Sequence, residues 1–361
     1  MTTPSPRPGT EKIKAHMLGG VPGDLRPPAV LLHSNESAFG ASPHALQAMR
    51  AAVSGVERYL EFPERILCPA IGAAESLDPA RIVVGHGTDD LLARAARAYL
   101  APGDNLIRTA NGYLKVPNYA HVNDAEVISV PDNDFVPSVD AMIEAVTPRT
   151  RIVYLANPEN PAGTYVSGSE VRRLHAALPE TVLLVLDCAY EEYVEAPDYE
   201  PGRNLASEAD NVIVSHTFLK IYGLAGARVG WAYGHPDIMD VLRKVGVTFP
   251  LTTPSAAAAL AALDDQSHVR MVRRKNAEQR SLVTDGLRDL GLHVIPSQTN
   301  FLLVHVPGQA VALDRYLKAK GVMIRRVAAP AYADYIRITL GLPQENAACL
   351  AAIGDFLNGA R

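Results

Sequence analysis

Seven short apolar runs mark the chain at 81–85, 105–107, 126–130, 151–156, 182–187, 212–215 and 229–233. Between several of them lie stretches whose apolar residues recur at helical spacing, at 88–100, 138–145 and 168–177. Unbroken β-branched and leucine-rich runs alternating with amphipathic helices predict a mostly parallel sheet covered on both faces. Ligands of such sheets sit beyond the carboxyl ends of the strands. Gly87-Thr88-Asp89, Asn157 to Thr164, Asp187 and Lys220 all fall at or just past such ends.

Past Pro250 the pattern changes. An Ala-rich, charged stretch from Thr253 to Leu290 predicts helix, including one long connector. Runs at 299–304 and 335–340 predict strands of a small α+β domain, closed by a helix over 344–357. The expected organisation is a flexible leader (1–28), a segment joining the small domain (29–50), a large domain (51–250), and a connector helix with the small C-terminal domain (251–361). No internal repeat or low-complexity segment interrupts it.

A chain of 361 residues, 48% apolar and 20% charged, fits a soluble enzyme and is too apolar for disorder. Its net charge of −5, without any basic run, argues against nucleic acid as a partner. No apolar stretch approaches the ~18 residues of a membrane span. The Pro-rich N-terminus also lacks the apolar core of a signal peptide, so a cytoplasmic location is expected. Cys68, Cys188 and Cys349 are widely spaced, which predicts neither a disulfide framework nor a zinc site; no metal is expected.

Lys220 follows the run at 212–215 and precedes a Gly-rich turn, Gly223 to Gly230, that carries Arg228. An amine and a cation so placed can serve a carbonyl and a phosphate together, the two needs of pyridoxal phosphate (PLP). Lysine forms a Schiff base when burial or a neighbouring cation lowers its pKa. A solvated loop lysine has the same local sequence, so its neighbours must decide. The turn Asn157-Pro158-Glu159-Asn160-Pro161-Ala162-Gly163-Thr164 is made rigid by two Asn-Pro steps. Asn160 could donate to a cofactor ring oxygen, although plain loops use the same residues.

Asp187 ends the most hydrophobic run, where a carboxylate is costly unless a cation faces it. A protonated pyridine nitrogen would be such a cation, and Tyr190 could reach the ring's phenolic oxygen. A helix-capping aspartate is the alternative. Gly87, Thr88 and Asp89 open a helix whose free N–H groups and dipole suit a phosphate, although Thr and Asp also cap helices without any ligand.

Eight pieces then fall in one order: HSNESAFGASP, ERYLEFP, VGHGTDDLL, YLANPENPAGT, VLDCAYEEY, HTFLKIYGLAGARVGWA, PSQTNFLLV and YIRITLGLPQEN. From about Leu31 to Leu357 the chain resembles the fold-type I PLP-dependent aminotransferases, most closely the histidinol-phosphate aminotransferase branch. The resemblance implies an α/β fold, with a large domain on a mostly parallel seven-stranded sheet and a smaller α+β domain. It implies that Lys220 holds PLP and moves a proton at the substrate α-carbon, and that Asp187 pairs with the pyridine nitrogen. Asn160 and Tyr190 are implied to bind the ring oxygen, and Arg228, Thr88 and Asp89 the phosphate. Tyr113 is implied to stack on the ring. Arg337 would fork onto the substrate carboxylate, supported by Asn300. Arg325 lies near the position of an arginine for a substrate phosphate, or is a solvated surface residue. Tyr59 is implied to reach the neighbouring site across a homodimer.

Several positions depart from the family pattern. Leu219 stands where a small hydroxyl residue usually precedes the lysine, which leaves Thr217 as the nearby hydroxyl for the phosphate. Cys188 replaces the usual acidic residue, Asn111-Gly112 the usual Pro-Thr, and Ser37-Ala38 follow Asn35-Glu36; Lys115 and Pro117 sit in an unusual context. The expected activity is ping-pong transfer of an amino group between an amino acid or histidinol-phosphate-like amine and a 2-oxo acid. A decarboxylase or lyase of the same fold, similar to threonine-phosphate decarboxylase, would use the same lysine and aspartate. The departures weaken a housekeeping role in histidine synthesis and keep aromatic amino acids and specialised metabolites as candidate substrates.

Overall fold

The computed structural model describes residues 4–13 and 30–359. Its centre is a seven-stranded sheet of β1 (Ile82–Gly85), β2 (Asn105–Thr109), β3 (Glu126–Val130), β4 (Thr150–Ala156), β5 (Leu183–Asp187), β6 (Val212–Thr217) and β7 (Gly230–Gly234). The spatial order is β1-β7-β6-β5-β4-β2-β3. From β6 to β3 all neighbours are parallel, whereas β7 runs antiparallel to both β6 and β1. The connection from β6 to β7, residues 218–229, holds only a short 3-10 turn and no crossover helix, so the chain returns antiparallel.

Every residue of β1, β5, β6 and β7 is buried, which is why those runs show no polar alternation. Successive residues feed two cores. Val84, Val153, Leu155, Leu184, Leu186 and Val214 pack on one face. Val83, Ile152, Tyr154, Leu183, Val185 and Ile213 pack on the other.

A separate antiparallel sheet joins His293–Val294, Phe301–His305, Tyr335–Thr339 and Arg325–Arg326, in that order. Leu302, Val304, Ile336 and Ile338 form its core with Leu313 and Leu317 of the Ala310–Ala319 helix and Ile353 of the Pro343–Leu357 helix. Val30–Leu31 pairs parallel with Val322–Met323, and Leu32 enters this smaller core. Ala45, in contrast, packs in the large core. The expected helix over 253–290 is two helices, Thr253–Asp264 and the 24-residue Gln266–Asp289. The first supplies Ala258, Ala259 and Ala262 to the large core, so large-core packing continues past residue 250. The second supplies Val272 to the large core and Val283 and Leu287 to the small one.

Of the leader expected over residues 1–28, residues 1–3 and 14–28 lie outside the described residues. Pro8–Lys12 is a 3-10 helix, and the buried Gly9 N–H donates to Asp124 Oδ1 at 2.7 Å. Among the described residues no helix is long and apolar enough to cross a membrane.

Candidate active site

The carboxyl ends of β1, β4, β5 and β6 open onto a cavity of about 390 Å³. Its walls carry Thr88, Asp89, Tyr113, Asn160, Asp187, Tyr190, Thr217, Lys220 and Arg228 from the expected set. Lys115, Tyr154, Pro158, Ala189 and Leu219 also line it. Gly87 lies beneath Arg228, while Tyr59, Asn300, Arg325 and Arg337 are not on the walls.

Asp187 sits at the floor. In register it stands opposite Ser215 of β6 and Ala156 of β4. The Ser215 hydroxyl donates to its Oδ1 at 3.1 Å and the Tyr154 hydroxyl to Oδ2 at 2.8 Å. Burial outweighs these donors and pushes the carboxyl up to about 6. A buried carboxylate with hydroxyl donors, and with no ion-pair partner among the described residues, is suited to receive a cationic ring nitrogen.

The turn after β4 is closed by its own backbone and by Asn157, whose amide exchanges hydrogen bonds of 2.9 Å with both backbone groups of Val166. Both of its Asn-Pro bonds, Asn157-Pro158 and Asn160-Pro161, are cis. Asn160 Oδ1 accepts from Arg337 Nη1 at 2.8 Å, while its Nδ2 carries no bond to a described residue. The Tyr190 hydroxyl accepts from Asn35 Nδ2 at 3.0 Å. Lys220 Nζ lies 5.5 Å from the Tyr190 ring centroid and has no ion-pair partner among the described residues.

Arg228 adopts the left-handed region (φ 57°), a conformation costing about 1–3 kcal/mol that persists where surrounding structure imposes it. Gly87 (φ 80°) is the residue before the Thr88–Tyr99 helix, and a Cβ on it would stand 3.0 Å from Arg228 Nη2. The cation and the free N–H groups of the helix start therefore meet at one end of the cavity. Asp89 shares that end, yet its carboxylate is committed to Tyr119, Tyr113 and Lys115 at 2.5, 3.2 and 3.1 Å. Burial pushes Asp89 up, but these three outweigh it and hold the carboxyl below its ordinary value. What Asp89 offers a phosphate is its backbone N–H. The Thr217 hydroxyl accepts the Leu219 N–H at 3.1 Å, bracing the turn before Lys220.

Arg337 is buried, and desolvation brings it down to about 10. It also donates to the His33 carbonyl at 2.9 Å, and its Nε is buried without a partner. Asn300 Nδ2 donates to the Asn35 and Glu36 carbonyls at 3.1 and 3.2 Å, and its buried Oδ1 has no partner among the described residues. Arg325 stands directly across the sheet from Arg337. Tyr59 is 75% exposed and stacks on Phe249 with ring centroids 4.2 Å apart.

Sequence reasoning missed Tyr154, Ser215 and Asn35. A serine inside an apolar strand was the available signal for Ser215; the other two depend on register and tertiary path. Among the described residues Cys188, Glu191 and His216 bring donor atoms within 4.8 Å of one another. The Glu191 carboxylate is already bound by Arg203, the Gly202 N–H and the Tyr199 hydroxyl, which makes the group a buried ion pair.

The cavity, the cation-seeking Asp187, the unpaired Lys220 amine and the Arg228 end together fit PLP. The family model for aminotransferase class I and II matches residues 27–353, and the chain belongs to that family. It is a PLP-dependent aminotransferase of fold type I. Over 361 residues it is 41% identical to the histidinol-phosphate aminotransferase of Granulibacter bethesdensis, covering 99% of this chain and 97% of that protein. The enzyme of the same name from Nitrobacter winogradskyi is 40% identical over 362 residues, 99% of each. Histidinol-phosphate aminotransferase from Sinorhizobium meliloti, solved in complex with pyridoxal-5'-phosphate, superposes with a TM-score of 0.86 at 31% identity over 92% of each chain.

Proposed function

We propose that the amino donor is histidinol phosphate or a closely similar phosphate-bearing amine, with a 2-oxo acid taking the same pocket in turn. The observation that carries this is the cross-strand pair of Arg325 and Arg337. Like charges directly opposite in a sheet are destabilising. Burial holds both below the ordinary arginine range, with Arg325 adding to the effect on Arg337. An anionic substrate group beside Arg337, whose Nε is buried without a partner among the described residues, would relieve its desolvation, a phosphate in one half-reaction and a carboxylate in the other.

The geometry supports the following roles. The cofactor, when bound, supplies the electron sink for breaking the bond to hydrogen at the substrate α-carbon. Ionised Asp187 holds the ring nitrogen cationic, oriented by Tyr154 and Ser215. The Asn160 amide and the Tyr190 hydroxyl bind the ring oxygen, each fixed by a partner, Arg337 and Asn35. Arg228 with the N–H groups of Thr88 and Asp89 anchors the phosphate. Tyr113 covers the ring face. Lys220 would hold the cofactor through its amine and would move the proton at the substrate α-carbon.

Tyr59, Phe249, Phe62, Val56 and Val247 expose a neighbouring set of apolar side chains, each at least 41% accessible. Such a patch supports a homodimer with Tyr59 reaching the partner's site. Two domains, with the division falling in the Gln266–Asp289 helix, are supported by the two separate cores. Three buried free cysteines support a reducing, cytoplasmic setting.

The test mixes purified PLP-loaded protein with histidinol phosphate, histidinol, phenylalanine and aspartate, and follows the loss of the yellow form. Conversion by histidinol phosphate at the lowest concentration is expected. Conversion by an unphosphorylated amine alone would overturn the substrate assignment, and carbon dioxide release without a 2-oxo acid requirement would overturn transamination.

A further inference from the structure

Glu159 is 2% exposed inside the turn that carries Asn160. Its Oε1 accepts the Asn160 N–H at 3.0 Å, and the carboxyl lies near the Tyr113 backbone. The same oxygens fill the space in front of Gly112: a Cβ there would stand 2.7 Å from Oε2 and 2.9 Å from Oε1. Contacts under about 3 Å are not tolerated in packed interiors without movement. The Arg108 guanidinium faces Glu159, with Asp187, Tyr154 and Tyr332 also around it. Arg108 donates to the Thr109 and Ala110 carbonyls at 2.6 and 3.1 Å. Burial pushes the Glu159 carboxyl up to about 8. A costly buried acid is placed between the Asn160 N–H, which it accepts, and the backbone at Gly112.

The second loop is anchored elsewhere too. The Tyr332 hydroxyl donates to the Asn111 carbonyl, Asn111 Nδ2 donates to Asp132 at 2.8 Å, and the Tyr113 hydroxyl and Lys115 reach Asp89 at 3.2 and 3.1 Å. None of these ties the loop to the turn of Asn160; the Glu159 carboxyl, packed against Gly112 and bonded to the Asn160 N–H, stands between the two.

We propose that Glu159 is a positioning residue and Gly112 its fitted counterpart: the carboxylate fastens the loop of Tyr113 to the turn of Asn160, setting the spacing of two cavity walls. The proposal rests on Tyr113 and Asn160 meeting the cofactor as described above. A side chain at 112 would have to displace the Glu159 carboxyl from its place against the turn of Asn160.

The test compares Gly112→Ala, Glu159→Gln, Glu159→Ala and the double variant Gly112→Ala/Glu159→Ala. PLP is titrated into the cofactor-free proteins, and the visible circular dichroism band of the bound cofactor and the urea midpoint are recorded. Glu159→Gln replaces one carboxyl oxygen by a donor NH2 in this filled space, which weakens PLP binding about tenfold and reduces the band. Gly112→Ala alone weakens binding to a similar extent, but changes it less than about twofold when added to Glu159→Ala, because the methyl then has room. Equal effects of Gly112→Ala in both backgrounds would overturn the proposal. So would shifted urea midpoints with PLP affinity and band unchanged, the signature of a merely structural acid. Tyr113→Ala is the separate control: unchanged affinity and band there would overturn the stacking role of Tyr113, whatever the Glu159 series gives.

Discussion

Replacing Asp187 with asparagine has opposite effects on the cofactor-free and cofactor-bound protein. In the cofactor-free state burial raises the carboxyl from 3.8 to about 6, which corresponds to about 3 kcal/mol against the charged form. A folded pKa above the unfolded one means the neutral acid favours folding below about pH 4. That contribution is lost as pH rises through about 6. The substituted amide never ionises, so cofactor-free D187N is more stable than the parent at pH 7–8 by up to about 3 kcal/mol and equal to it near pH 4. With PLP bound the sign reverses. An ion pair at about 3 Å in an effective dielectric of about 20 contributes about 5 kcal/mol. Subtracting the burial penalty leaves PLP-bound D187N about 2–3 kcal/mol less stable than the PLP-bound parent; with the cofactor-free difference of opposite sign, D187N binds PLP more weakly by about 5 kcal/mol, on the order of several thousandfold, at pH 7.5. Below about pH 6 the parent loses affinity as Asp187 takes up a proton, and the variant does not share that acid limb. Fluorescence titration of PLP from pH 5 to 8, with thermal melts of both cofactor-free proteins, reads every term. Equal affinity in the two proteins, or the same acid limb in both, would refute the pairing of Asp187 with the ring nitrogen.

Three further outcomes are expected. Lys220→Ala removes the yellow form and turnover while leaving the fold intact by circular dichroism; retained colour and activity would exclude Lys220 as the linking amine. Tyr154→Phe removes a donor to ionised Asp187, raising that carboxyl further, so the acid limb of PLP binding moves to higher pH and affinity at pH 7 falls about tenfold; an unmoved limb would contradict the role. Leu219→Ser places a hydroxyl on the cavity wall beside Arg228 and slows PLP loss on dialysis; equal retention in parent and variant would show that the missing hydroxyl has no consequence.

The strands were legible because residues buried on both faces leave unbroken apolar runs, as in Leu183–Asp187. The antiparallel direction of Gly230–Gly234 was not, since side-chain pattern carries no polarity. Site residues that sit where a strand gives way to a loop, Asp187, Asn160 and Lys220, were visible as polar breaks in apolar text. Their supports were hidden. Tyr154 reads as one more aromatic in a strand until register sets it beside Asp187, and Asn35 reaches Tyr190 across 155 residues. Gly112 looked like a departure from a pattern; its meaning lies in the space that Glu159 fills, which no local sequence reveals.

Asn35 has a consequence for how such enzymes change partners. It bonds the Tyr190 hydroxyl on one side and Thr339 of the small sheet on the other, with Thr339 Oγ1 3.1 Å from its Oδ1. Together with the Arg337–Asn160 bond, it is a polar stitch between the large-sheet part and the small-sheet part at the cavity. A new small domain grafted onto this sheet has to reproduce those stitches before any of its pocket side chains matter. Successful chimeras should therefore be recognised by geometry at positions 35, 160 and 337, and those that keep only the pocket residues should bind without turning over.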